Sequence, residues 1–69
     1  MPLIFAEKGE ENVIKKVGGS PETKKHLENL GFVPGSKVKV ISTIGGNLIV
    51  CVKEARIAIN EDMAKKIMI

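Results

Sequence analysis

The chain has 69 residues, 43% of them hydrophobic, with no tryptophan or tyrosine, two phenylalanines, one cysteine, one histidine and a net charge of +3. That length makes one domain, residues 1–69, burying only about 60% of the surface its unfolded form exposes. The single Cys51 excludes an internal disulfide, Cys51 with the single His26 is too few ligands for a structural zinc site, and a mild charge interleaved with glutamate reads as an ordinary solvated surface.

No apolar run approaches the roughly 20 residues of a membrane span, so no membrane insertion is expected. The opening Met1-Pro2-Leu3-Ile4-Phe5 lacks a basic lead, and Glu7 interrupts it, unlike a secretory signal. A free cysteine fits a reducing compartment, and the expected location is the cytoplasm.

Glycines and prolines cut the chain into short pieces. Leu3 to Phe5 either enters the core or leads into the fold, and both Phe5 and Phe32 are expected inside. Glu11 to Val17 reads as one strand with Val13 and Val17 on one face and Ile14 on the other, an imperfect alternation. Ser20 to Leu30 reads as a helix. Ser20 suits the N-cap, Pro21 the first helical position and Glu22 the positive end of the helix dipole. Leu27 and Leu30 share one face, and Gly31 supplies the left-handed residue that ends the helix.

Pro34-Gly35 predicts a type II turn. Lys37 to Ile44 follows as a strand, with Val38, Val40 and Ile44 facing one way and Lys37, Lys39 and Thr43 the other. Gly45-Gly46-Asn47 closes a hairpin onto Leu48 to Lys53, where Leu48, Val50 and Val52 share one face and Ile49, Cys51 and Lys53 the other. Lys53-Glu54 forms a short turn, and Ala55 to Ile59 brings Ile57 and Ile59 inward. Asn60 caps a last short helix, with Glu61 and Asp62 in its first turn and Lys65 and Lys66 in its last. Met68 and Ile69 add a terminal strand or pack over the barrel mouth. The predicted class is mainly β with two short helices, arranged as a small SH3-like β-barrel whose curling hides strand edges.

No set of residues reads as catalytic. Cys51 lies within the apolar run Leu48-Ile49-Val50-Cys51-Val52, where a free cysteine behaves as a small hydrophobe. His26 sits on a polar helical stretch beside Lys24, Lys25 and Glu28. A ferrous site needs two histidines and a carboxylate, and only one histidine exists. No cofactor is expected; weak or transient transition-metal binding stays open. Gly18-Gly19-Ser20-Pro21 precedes a helix but lacks phosphate-loop spacing. With both phenylalanines expected inside, no aromatic platform is left for stacking bases, and no nucleic acid is expected as partner.

The order of these motifs carries a resemblance. Leu27-Glu28-Asn29-Leu30-Gly31-Phe32-Val33-Pro34-Gly35 resembles the signature of the FeoA family, the small ferrous iron transport protein A. Gly18-Gly19, the hairpin Gly45 to Val50 and the closing segment Arg56 to Ala64 also match the family's pattern, while the opening matches through Leu3 and Gly9 only. The resemblance implies an SH3-like fold and a cytoplasmic accessory role in bacterial ferrous iron uptake, beside the membrane GTPase-permease FeoB. It extends to a domain of metal-dependent repressors, but no winged-helix segment precedes these residues, which favours a free-standing domain. The expected partner is the cytoplasmic domain of FeoB, placing the chain at the inner face of the membrane. The alternatives are a small barrel that binds nucleic acid or peptide, or a metal-responsive regulatory domain. Exposure alone suggests Lys24, Lys25, His26 and Glu28, with Val33 as an apolar anchor, as partner contacts.

Overall fold

The computed structural model describes residues 1–69. A 3₁₀ turn, Leu3–Phe5, leads into β1 (Glu11–Val13) and β2 (Lys16–Val17). Then come α1 (Pro21–Leu30), β3 (Lys37–Ile44), β4 (Asn47–Val52), β5 (Ala55–Asn60), α2 (Glu61–Lys66) and β6 (Ile67–Met68). The mainly β class with two short helices holds.

Four strands form an antiparallel sheet in the order β1-β3-β4-β5, and β2 pairs with β6 in a second, two-stranded sheet. The predicted single strand from Glu11 to Val17 is thus divided between sheets. The Ile14 N–H still donates to Ser36 O at 2.9 Å, whereas the next amide, Lys15, donates to Met68 O at 2.7 Å. Ile14 is therefore the pivot, and it points inward. It is 1% exposed, while Val13 is 51% exposed. The two residues lie on opposite faces, as the alternation has them, and Ile14 takes the inner one. Pairing decides the matter: Asn12 lies opposite the buried Val38, so Val13, opposite Lys37, must face out with it.

A reversal of a predicted face occurs further along, with a related cause. Val38 and Val40 are buried as expected, but Ile44 is 63% exposed. The β3–β4 register runs Val40↔Val50 and then Ser42↔Ile49, leaving Ile41 as an extra residue. A bulge of one residue inverts the inside–outside alternation beyond it. Thr43 then stands opposite the buried Leu48, and Ile44 turns to solvent opposite Asn47.

The helix ends are built as their residues dictate. The Ser20 Oγ accepts from the Thr23 N–H at 3.2 Å. At the other end Gly31 has φ 107°, a conformation in which a side chain is strained. The Gly31 N–H donates to Glu28 O at 3.0 Å and the Phe32 N–H donates to Leu27 O at 2.9 Å. That pair of bonds is a Schellman motif, and its usual apolar contact is supplied here by buried Phe32 and Leu27. The Leu-Gly-Phe motif is thus a helix stop that also seeds the core. In the turn that follows, the Ser36 N–H donates to Val33 O at 3.1 Å and Gly35 has φ 90°, the type II arrangement predicted.

Thirteen apolar residues make one core cluster, drawn from the 3₁₀ turn, α1, α2 and both sheets. Phe32 is inside, but Phe5 is 69% exposed, against expectation. The short 3₁₀ turn buries Leu3 and leaves Phe5 on the surface. Asn60 accepts from the Met63 N–H at 2.8 Å and caps α2, which spans the open side between β5 and β6. No strand ladder joins β5 to β6, so the barrel-like sheet is not closed there, and α2 packs against both strands. Met68 does extend into the terminal strand, against β2.

Candidate functional site

Two surface cavities flank the Pro34–Gly35 turn. The smaller, of about 180 Å³, lies beside α1 and is lined by Val17, Lys24, Glu28, Phe32, Val33 and Pro34. Its apolar side comes from two separate segments, β2 and the connection between α1 and β3. Val17 arrives from β2, the edge of the Phe32 ring is fixed by the Schellman motif, and Val33 and Pro34 belong to the turn that restarts the chain toward β3. Lys24 and Glu28 are four apart on α1, so they stand one above the other on a single face and give the pocket a charged rim of both signs. The volume suits one branched aliphatic side chain.

Three of the five residues singled out from the sequence therefore meet around one cavity: Lys24, Glu28 and Val33. Lys25 and His26 are exposed on the same helix, outside that lining. Sequence reasoning missed Val17, Phe32 and Pro34 as lining residues. Nothing local marks Val17, because it reaches the pocket only through its pairing with Ile67.

The larger cavity, a groove of about 580 Å³, runs over the outer face of β1, β3 and β4. Its principal side chains are Glu11, Ser36, Lys37, Lys39, Cys51 and Lys53. Cross-strand pairing aligns Glu11, Lys39, Cys51 and Arg56 in one row across the four strands. Cys51 is free and half-buried, on the outward face predicted for it. A side-chain ion pair joins Lys37 Nζ to Glu11 Oε1 at 3.8 Å; both groups are well exposed, so it adds little to stability.

No three His, Cys, Asp or Glu side chains cluster as a metal site. No helix is long and apolar enough to cross a membrane. The arrangement is that of a small, mainly β domain whose surface features are a one-side-chain apolar pocket and a cationic groove.

The model of the FeoA domain family matches residues 1–69, and the chain belongs to the FeoA family. A protein of Methanocaldococcus jannaschii, provisionally named Fe(2+) transport protein A, is 40% identical over 68 residues, covering 99% of this chain and 83% of that one. Among solved structures, FeoA of Stenotrophomonas maltophilia complexed with zinc superposes with a TM-score of 0.85 at 27% identity. The match covers 99% of this chain and 87% of that one. That structure is described as a prokaryotic SH3 domain protein, in accord with the SH3-like fold expected here. A manganese-dependent transcriptional repressor has a TM-score of 0.87 at 16% identity, over 97% of this chain but only 39% of its own length, a likeness of fold alone.

Proposed function

We propose that this chain is a cytoplasmic accessory protein of ferrous iron uptake that acts by binding the cytoplasmic domain of FeoB, the membrane GTPase-permease, and modulating it. Membership of the FeoA family supports the transport setting. So does the description of the S. maltophilia relative, which is suggested to be a bacterial ferrous iron transport activating factor. The mode of action is docking, with no bond made or broken by this chain.

One observation carries the docking surface: Lys24, Glu28 and Val33 converge on the apolar pocket floored by Phe32. A buried apolar anchor ringed by charges is the arrangement that concentrates binding energy at protein interfaces. The partner inserts an aliphatic side chain against Val33 and Val17, and Lys24 and Glu28 fix its orientation. Lys25 and His26 lie beyond the rim and contribute less.

Pull-down and titration with the cytoplasmic domain of the transporter test this. Val33→Glu places a charge in the pocket without touching the core and is expected to weaken binding about tenfold or more. His26→Ala is expected to leave it within about twofold. Failure of the unaltered chain to bind at tens of micromolar overturns the direct-docking reading.

A further inference from the structure

We infer that the groove on the outer face of β1, β3 and β4 is a docking site for an acidic segment of a partner protein. It stands apart from the transporter reading, because it lies on the opposite side of the Pro34–Gly35 turn from the α1 pocket and shares no lining residue with it.

Charge makes the first case. Lys37, Lys39 and Lys53 line the groove, and Arg56 extends the row beyond Cys51. The molecule's single side-chain ion pair engages Lys37 with Glu11; Lys39, Lys53 and Arg56 have no carboxylate partner. Three unpaired cations around a small, half-buried thiol leave a concave, positively charged surface with room for several side chains.

Backbone strain makes the second. The two tight hairpins have the same two-residue turn with positive φ at both positions. One uses Gly45 (φ 52°) and Gly46 (φ 84°), the residues such a turn favours. The other uses Lys53 (φ 50°) and Glu54 (φ 65°), which enter that region at an energetic cost. Both strained residues line the groove. The Lys53 stem also lies against Gly31, 3.5 Å from the position a Cβ would take there. Strained residues that persist cluster where their side chains are used.

The mixed rim selects the kind of partner. Glu11 and Glu54 interrupt the cations and repel a continuous phosphate backbone, and no aromatic side chain lines the groove to stack a base. A polypeptide carrying spaced carboxylates meets Lys39, Lys53 and Arg56 and still leaves places where Glu11, Glu54 and the Ser36 hydroxyl bond its backbone or basic groups.

The test is a titration of the whole chain, followed by amide chemical shifts, with a short peptide of alternating glutamate and alanine. A lysine–alanine peptide and an oligouridylate of equal length serve as comparisons. The acidic peptide is expected to move the amides of Ser36, Lys39, Cys51 and Lys53, with an affinity that falls as salt rises. A Lys39→Glu/Lys53→Asn variant removes two cations while asparagine suits the strained turn. It is expected to keep a dispersed spectrum and to bind about tenfold more weakly. Shifts absent from the groove at millimolar peptide overturn the proposal. So does tighter binding of the oligouridylate to the same amides, which would make the face a nucleic-acid surface. Undiminished affinity in the variant overturns it as well.

Discussion

Replacing Phe32 with alanine is expected to remove about 3–5 kcal/mol of stability. A domain of this size has roughly 3–10 kcal/mol in total, so the variant sits at or near the edge of unfolding. The size of the effect follows from position. Phe32 is 1% exposed and is the largest fully buried side chain. Its backbone N–H closes the Schellman motif onto Leu27, so the ring is delivered into the core by the same bonds that stop α1. Truncation leaves a cavity between α1 and the sheet that a small, stiff aliphatic core relaxes poorly. Phe32→Leu, which keeps much of the volume, is expected to lose less. Urea unfolding followed by circular dichroism reads both. A loss below about 1 kcal/mol for Phe32→Ala would contradict the packing described. Because Phe32 also floors the α1 pocket, any folded fraction of the alanine variant should bind a partner there less well.

Ile14→Ala and Val13→Ala are expected to separate widely. Ile14 is 1% exposed at the point where the chain passes between sheets, and its truncation should cost about 2–5 kcal/mol. Val13 is 51% exposed on the outer face, and its truncation should stay within about 0.5 kcal/mol. The ordering matters more than either value. A single strand from Glu11 to Val17 with Val13 inward gives the opposite order. The pair of denaturation curves therefore tests the register itself: a larger loss at Val13 than at Ile14 would show that β1 pairs with β3 one residue away from the alignment Asn12↔Val38. A slip of one residue exchanges every inward side chain for an outward one, so the two variants cannot both be mild.

The elements that were legible in advance share a property: their signals are local. Ser20, Pro21 and Gly31 act within one helical turn, and the helix they bound is found at Pro21–Leu30. Pro34-Gly35 and Gly45-Gly46 fix their turns through their own φ angles. Asn60, Glu61 and Asp62 do the same for α2. The alternation Leu48, Val50, Val52 survives intact because the extra residue of the bulge falls on β3, and β4 carries none of its own. The order of these local signals was also enough for the FeoA resemblance, which the family match over residues 1–69 bears out.

The misplaced residues share the opposite property. Ile44 and Phe5 are apolar residues whose side depends on a partner strand or packing element far along the chain, as does the choice between Val13 and Ile14 for the interior. Ile44 is turned outward by a bulge at Ile41 that exists only because Val40 and Ser42 pair with Val50 and Ile49. Phe5 reads as core by composition, yet the 3₁₀ turn commits Leu3 to the interior and leaves Phe5 on the surface. Its exposure also removes one ground on which base stacking was set aside, although Phe5 lines neither cavity.

The candidate site divides along the same line. By itself the sequence determined the helix, its exposed polar face, the stop at Gly31 and the turn at Pro34-Gly35, because each follows from the backbone preferences of a few neighbouring residues. Lys24, Glu28 and Val33 were within reach for that reason. Only the tertiary structure decided that Val17 joins them, that Lys25 and His26 do not, and that Lys37, Lys39, Lys53 and Arg56 gather on one outer face. Those placements depend on strand pairings between residues far apart in sequence, and on which side of a pleat each pairing leaves its side chains. A single sequence fixes that parity only once its partner strands are known.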